Sequence, residues 1–238
     1  MSIRYFAPHV SRVFSGYGLR ITNYGFQIAI VALLLATTIL AGEAPKEEGF
    51  VPLFDGKSLN GWAAHNEPGH GGGAKWEVRD GAIASIQEWP GAWAMLATKQ
   101  TFGDFELRLE VKPERPVGSG VLVRATLQGH AYEVRVHCRP DGDVGGVAGA
   151  RIGDFQAAAK EWAKVWKKDE WNDLRIIVRD SPPEIHTWLN GTDMVRFRDD
   201  TKRPRVGPTG HIGLEIHGDR EAFGSRVLFR NLRVLELK

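Results

Sequence analysis

The chain has 238 residues, a formal net charge of +2 and a single cysteine, Cys138. A charge so near zero gives no electrostatic footprint for nucleic acid or an anionic membrane surface, and one cysteine excludes an internal disulfide framework. The fold has to rest on its apolar core.

At the start of the chain, Arg4, Arg12 and Arg20 precede an apolar run from Phe26 to Ala41, FQIAIVALLLATTILA, which gives way to small residues and EAPKEEG. Basic, apolar, then small is the order of a secretory signal, so residues 1–44 are assigned to a signal peptide. The apolar run falls short of the roughly 20 residues of a comfortable membrane span, and Pro45 directly after Ala44 obscures the cleavage point; a retained N-terminal anchor is the alternative. Secretion or a periplasmic location is expected, with membrane contact only through a retained anchor. Without residues 1–44, and so without three arginines and Glu43, 194 residues remain with a formal charge of zero. One all-β domain fills that length.

From Phe50 onward the dominant period is two. In FELRLEVK, Phe105, Leu107, Leu109 and Val111 face one way while Glu106, Arg108, Glu110 and Lys112 face the other. The same alternation predicts strands near 76–85, 93–99, 104–112, 119–127, 131–138, 172–180, 184–190, 193–198, 210–217 and 225–237. Turn residues separate them: RDG at 79–81, PDGD at 140–143, LNG at 189–191 and VGPTG at 206–210. Many short strands with regular turns indicate a β-sandwich or barrel. One segment breaks the period. FQAAAKEWAKVWKKDEW places Trp162 and Trp166 four apart, which predicts a short helix near 156–168 packing its tryptophans on the sandwich edge; the alternative is a lid offering aromatics to a sugar. One domain is expected over residues 47–238.

Several catalytic signatures are absent: G-x-S-x-G, H-E-x-x-H, a phosphate-binding glycine loop and a cysteine zinc site. The closely spaced acidic residues of a laminarinase-type strand are also missing, because Arg108 stands between Glu106 and Glu110. Asp141-Gly142-Asp143 reads as a turn rather than a calcium loop. What remains is the non-core face of three strands. In AYEVRVHC, Glu133, Arg135 and His137 lie opposite Tyr132, Val134, Val136 and Cys138; in SGVLVRAT, Arg124 is out of phase with Val121, Val123 and Ala125; in HIGLEIHG, His211, Glu215 and His217 oppose Ile212, Leu214 and Ile216. If these strands adjoin, carboxylates, imidazoles and guanidinium groups meet on one sheet surface, with Gly213 and Gly218 leaving room above it. A merely solvated sheet face is also polar, its Glu/Arg pairs each contributing about 0.2–1 kcal/mol. The number of imidazoles and the scarcity of lysine set this face apart.

The succession GFVPLFDGKSLNGW, WEVRDGAI, FGDFELRLE, GSGVLVR, YEVRV, EWNDLRIIV, WLNG, GHIGLEIHG and VLFRNLRVLEL resembles the 3-keto-disaccharide hydrolase domain family across residues 47–238. The resemblance implies a concanavalin- or laminin-G-like jelly roll that cleaves glycosides first oxidised at C3 by a separate oxidoreductase. Such chemistry needs a base for the C2 proton, an acid for the leaving oxygen and donors for the enolate. On this footing His217 or Glu133 is the base and Glu215 the acid partner or orienter. Arg124 and Arg135 stabilise the oxyanion, His137 binds substrate, and a divalent metal held by His and Glu is the alternative to the arginines. Glu133, Arg124 and His217 match the family pattern. Arg135, where glutamine is common, Glu215 with Ile216, and Gly118 depart from it. Two readings follow: an exported hydrolase or lyase acting on 3-keto-glycosides, and a carbohydrate-binding module for which Trp89 and Trp93 are candidate platforms, although core packing is the favoured role for both rings. A cell-surface interaction domain is a third.

Overall fold

A computed structural model describes residues 47–66, 73–88, 93–202, 205–217 and 224–238. Residues 1–44, assigned from sequence to a signal peptide or anchor, lie outside them, as do Trp89 and Gly218. No helix among the described residues is long and apolar enough to cross a membrane.

The elements run β1 (Val51–Pro52), β2 (Trp62–Asn66), β3 (Ala74–Arg79), β4 (Ala82–Gln87), β5 (Trp93–Thr98), β6 (Phe105–Pro113), β7 (Gly118–Ala125), β8 (Ala131–His137), β9 (Asp143–Ala150), β10 (Gln156–Ala157), α1 (Trp162–Val165), β11 (Asn172–Arg179), β12 (Glu184–Leu189), β13 (Thr192–Arg198), β14 (His211–His217) and β15 (Arg226–Glu236). Two antiparallel sheets result. Sheet A follows the order β13-β12-β11-β6-β15-β4-β3 with β1 added to β15, and sheet B the order β10-β9-β8-β7-β14-β5-β2. Their inner faces meet in one core, where Leu107, Leu109, Leu174 and Ile176 of sheet A and Val121, Val134, Ile212 and Leu214 of sheet B are fully buried. Of the sandwich and barrel that the alternating runs allow, this is the sandwich, and it is the jelly roll that the family resemblance implies.

The differences from the sequence-based expectations are local. The strand expected at 76–85 is the hairpin β3–β4, folded at Asp80 and Gly81, both at positive φ. β9 was not foreseen: DVGGVAGA carries too little β-branched surface to advertise a strand, although it pairs with β8 along its length. The helix expected near 156–168 shrinks to Trp162–Val165, because Gln156–Ala157 pairs with β9 and Trp166 turns to an extended conformation. Trp162 enters the core and its indole donates to the Gly142 carbonyl at 3.0 Å, with Trp166 edge-on to it at 6.2 Å. These rings fill space, as expected of aromatics near a sheet edge.

Candidate active site

The outer face of sheet B is laid out by strand register. Trp93, His217 and Gly118 form one cross-strand row; Met95, Glu215, Gly120 and Arg135 the next; Ala97, Gly213, Leu122 and Glu133 a third. The third row is apolar apart from Glu133 and closes into a small satellite core of Trp93, Met95, Ala97, Leu122, Ala125 and Ala131. Gly213 belongs to that core: a Cβ there would sit 2.8 Å from the Met95 sulfur. It opens no space above the face, contrary to expectation. The glycines that do so are Gly118 and Gly120 of the GSG run. A Cβ on Gly120 would lie 2.8 Å from Glu133 Cγ and 2.9 Å from its Oε1, and one on Gly118 would lie 3.5 Å from His137 Nε2. Glu133 and His137 therefore lean across ground that only glycine leaves free.

Four predicted residues converge over this glycine floor. His137 Nε2 lies 3.4 Å from Glu133 Oε1, and His217 Nδ1 lies 3.4 Å from Glu215 Oε1. Arg135 contacts His137, its Nη2 donating to Nδ1 at 2.6 Å. Glu215 is buried to 3 % exposure, whereas the His217 side chain stands 60 % exposed at the mouth. Burial, reinforced by the nearby Glu133 carboxylate, pushes the Glu215 carboxyl above its usual range, with His217 opposing the shift only in part. Glu133 Oε1, His137 Nε2, Glu215 Oε2 and Arg135 Nε are buried and lack hydrogen-bond partners. Orphaned polar atoms of this kind are costly unless something arrives to satisfy them.

That something has room. A cavity of about 420 Å³ is lined by Trp93, Glu133, Gly149, Ala150, Arg151, Glu215 and His217. A smaller hollow of about 210 Å³ adjoins it past His217 and His137, with Arg135, Arg139 and Asp141 on its walls. Trp93 forms one wall under the Arg151 guanidinium, 4.9 Å from the ring centroid. Its far edge presses on Gly129, whose φ of +81° and missing Cβ let the loop cover it.

Arg124 is not in this group. At the β7 bulge its φ is +55°, which turns the side chain out of the strand's alternation and into the end of the sandwich. There it is 1 % exposed, donating to Asp104 at 2.9 Å, to the Asp180 carbonyl at 3.3 Å and to the Pro208 carbonyl. It ties the ends of the two sheets together and is unavailable to an oxyanion. His211 is also apart, its Nδ1 donating to the Thr98 carbonyl at 2.7 Å. No group of three His, Cys, Asp or Glu side chains among the described residues is spaced to hold a metal ion, so no step is routed through one.

The sequence model described as a 3-keto-alpha-glucoside-1,2-lyase-like domain matches residues 49–235. A 3-keto-disaccharide hydrolase of Bacteroides thetaiotaomicron is 26 % identical, covering 79 % of this chain and 78 % of the relative. Among solved structures, a Parabacteroides distasonis protein provisionally named a glycosyl hydrolase is 25 % identical with a TM-score of 0.54, covering 79 % of this chain and 99 % of its own. A carbohydrate binding module of Bacillus subtilis shares the fold at 12 % identity and a TM-score of 0.53, covering 74 % and 96 % of the two chains.

Proposed function

The chain belongs to the 3-keto-alpha-glucoside-1,2-lyase-like family, and from that premise we propose that it is an exported enzyme cleaving 3-keto-glycosides through C2 proton abstraction, elimination and hydration. The observation that carries the reading is the pair of carboxyl groups, Glu133 and Glu215, set with two imidazoles over a glycine floor with their buried polar atoms unsatisfied. Two carboxyls in different environments are what acid and base roles at one pH require. Glu215, whose carboxyl burial and the neighbouring Glu133 push above its usual range, is assigned as the acid, and Glu133 as the base.

A C3 ketone acidifies the C2–H bond. Glu133 takes that proton, the C2–H electrons form a C1=C2 bond, and the C1–O bond breaks as Glu215 protonates the departing oxygen. Water then adds at C1 of the enone, giving its proton to Glu215, while Glu133 returns a proton to C2. The net change is hydrolysis of the keto-glycoside to a 3-keto-sugar and a free alcohol. His137 and His217, each 3.4 Å from one of the two carboxyls, are assigned as donors to the C3 oxygen as negative charge develops there. Arg124, turned away, takes no part. Trp93 offers the sugar an apolar wall. The reading requires an oxidoreductase upstream that supplies the ketone, and export through the N-terminal segment.

The test is incubation of the purified protein with a 3-keto-disaccharide and with its unoxidised parent, followed by mass spectrometry. Release of monosaccharide from the keto form alone, with deuterium at C2 when the reaction runs in D2O, is expected. Binding of the parent sugar without cleavage of the keto form would replace the enzyme with a carbohydrate-binding module.

A further inference from the structure

We propose that Arg135 is a positioning residue that fixes the proton of His137 on Nε2, so that this imidazole donates into the site beside Glu133 instead of accepting there. A guanidinium group has hydrogen-bond donors and no acceptor. With Arg135 Nη2 2.6 Å from His137 Nδ1, the lone pair on Nδ1 is the acceptor and that nitrogen carries no proton. The ring's proton then belongs to Nε2, and which nitrogen is protonated is set by the bond the other one makes. Nε2 is the atom that leans over Gly118, 3.4 Å from Glu133 Oε1, and it is buried without another partner.

Arg135 is itself held in place. Its Nη1 lies 3.9 Å from Asp143 Oδ2, and the Asp143 carboxylate is anchored by the Ala159 amide at 2.9 Å and the Gln156 side chain at 3.0 Å. The order Asp143, Arg135, His137, Glu133 alternates acceptor and donor, and it begins on β9 and ends in the cavity. Other charged or titratable groups around His137 are the buried Glu215 carboxyl, His217 across Gly118, and Arg139 and Asp141 in the adjoining hollow.

The inference rests on the proposed function for its consequence but not for its test. With the proton on Nε2, His137 stabilises Glu133 as a carboxylate and gives the developing enolate a donor. With the proton on Nδ1, the same ring would offer a lone pair to both, which opposes each. Arg135 thus acts through His137 rather than on the substrate.

The experiment reads the imidazole nitrogens directly. Long-range proton–nitrogen NMR spectra of the 15N-labelled protein, with His137 assigned by loss of its signals in H137Q, are expected to show Nε2 protonated and Nδ1 as an acceptor. R135Q keeps that pattern. R135M, which retains the apolar stem and lacks donors, loses it, and on the keto substrate its kcat falls on the order of 10- to 100-fold with little change in KM, as for other orienting partners of histidine. R135Q stays within several-fold of the parent. A proton on Nδ1 in the unaltered protein, or R135M with unchanged nitrogens, overturns the proposal. Should R135M not fold, the spectrum of the unaltered protein decides alone. Because the spectra need no substrate, a protein inert toward keto-glycosides would sink the proposed function while leaving the tautomer to be judged on its own.

Discussion

Glu215 shows how burial sets the role of a side chain. Its carboxyl is raised by desolvation and by Glu133, and glutamine is a neutral, isosteric replacement for the proposed acid. Glu215→Gln is expected to fold normally and to lose kcat by about 10²- to 10⁴-fold, the usual worth of a positioned acid. Its stability profile carries a sign. The folded state holds the Glu215 proton more tightly than the unfolded chain, whose carboxyl titrates near 4.5. Stability of the parent therefore falls as pH rises from 4.5 toward the raised folded value and levels off above it, while Glu215→Gln lacks that decline. Urea titrations of both proteins across this range check it. Arg124 makes the opposite case: its hydrogen bonds are structural, so Arg124→Met is expected to lower stability by about 1–3 kcal/mol, the cost of leaving its partners unpaired. Any activity that survives should keep an unchanged pH–rate profile. The alternation in SGVLVRAT assigned Arg124 to the site because period two is blind to a bulge, and a single left-handed residue is enough to reverse the face. Alternation did group Glu133, Arg135, His137, Glu215 and His217 on the outer face of sheet B, where the structure has them.

At the level of elements, the site is a property of β7 as much as of the strands that carry its chemistry. Gly118-Ser119-Gly120 contributes no functional side chain to the face, yet the neighbours on β8 and β14 can lean together only because it is bare. Ser119 points the other way and donates to the Glu215 carbonyl at 2.6 Å, pinning β14. Gly120→Ala is predicted to displace Glu133, since the new methyl would meet Cγ and Oε1 inside contact distance. The overpacking cost is about 1–3 kcal/mol and falls on a movable side-chain end. Activity should suffer far more than the melting temperature, which kinetics and a thermal scan on one sample will separate. The sandwich strands were legible in the sequence because their apolar residues are large and strictly alternating. β9 and β2 were not, since glycine and alanine supply little period-two contrast. The same poverty of side chains hid the floor: a glycine announces an absence, and its meaning depends on what stands beside it.

On the scale of the whole molecule, the two sheets have unlike outer faces. That of sheet A is a lattice of ion pairs and aromatic rings, in which Glu106 joins Arg108 and Arg175 while Arg175 lies 4.3 Å from the Trp188 ring centroid. The first described residues belong to it. Glu47 accepts from Arg108 at 2.6 Å and Arg233 at 3.0 Å, and Phe50 lies beneath both guanidinium groups. The Arg233 bond holds the Glu47 carboxyl below its usual range, so this contribution is present above pH 4.5 and is lost as pH falls through the lowered folded value. A chain begun at Leu53, lacking the clasp and β1, is expected to be less stable by about 1–3 kcal/mol, summing two half-exposed ion pairs and a cation–π contact. A chain begun at Glu47 should melt in one cooperative transition, as calorimetry would record.

The route by which the chain enters and leaves the sandwich has a practical corollary. Both Glu47 and the last strand, β15, belong to sheet A, whereas the reactive groups open through sheet B. A biotin handle, a sensor surface or a fused reporter attached after β15 starts from sheet A rather than from the strands that carry the site. Immobilised through β15, the protein turns sheet B toward the solution, so the proposed sugar binding can be tested on a chip.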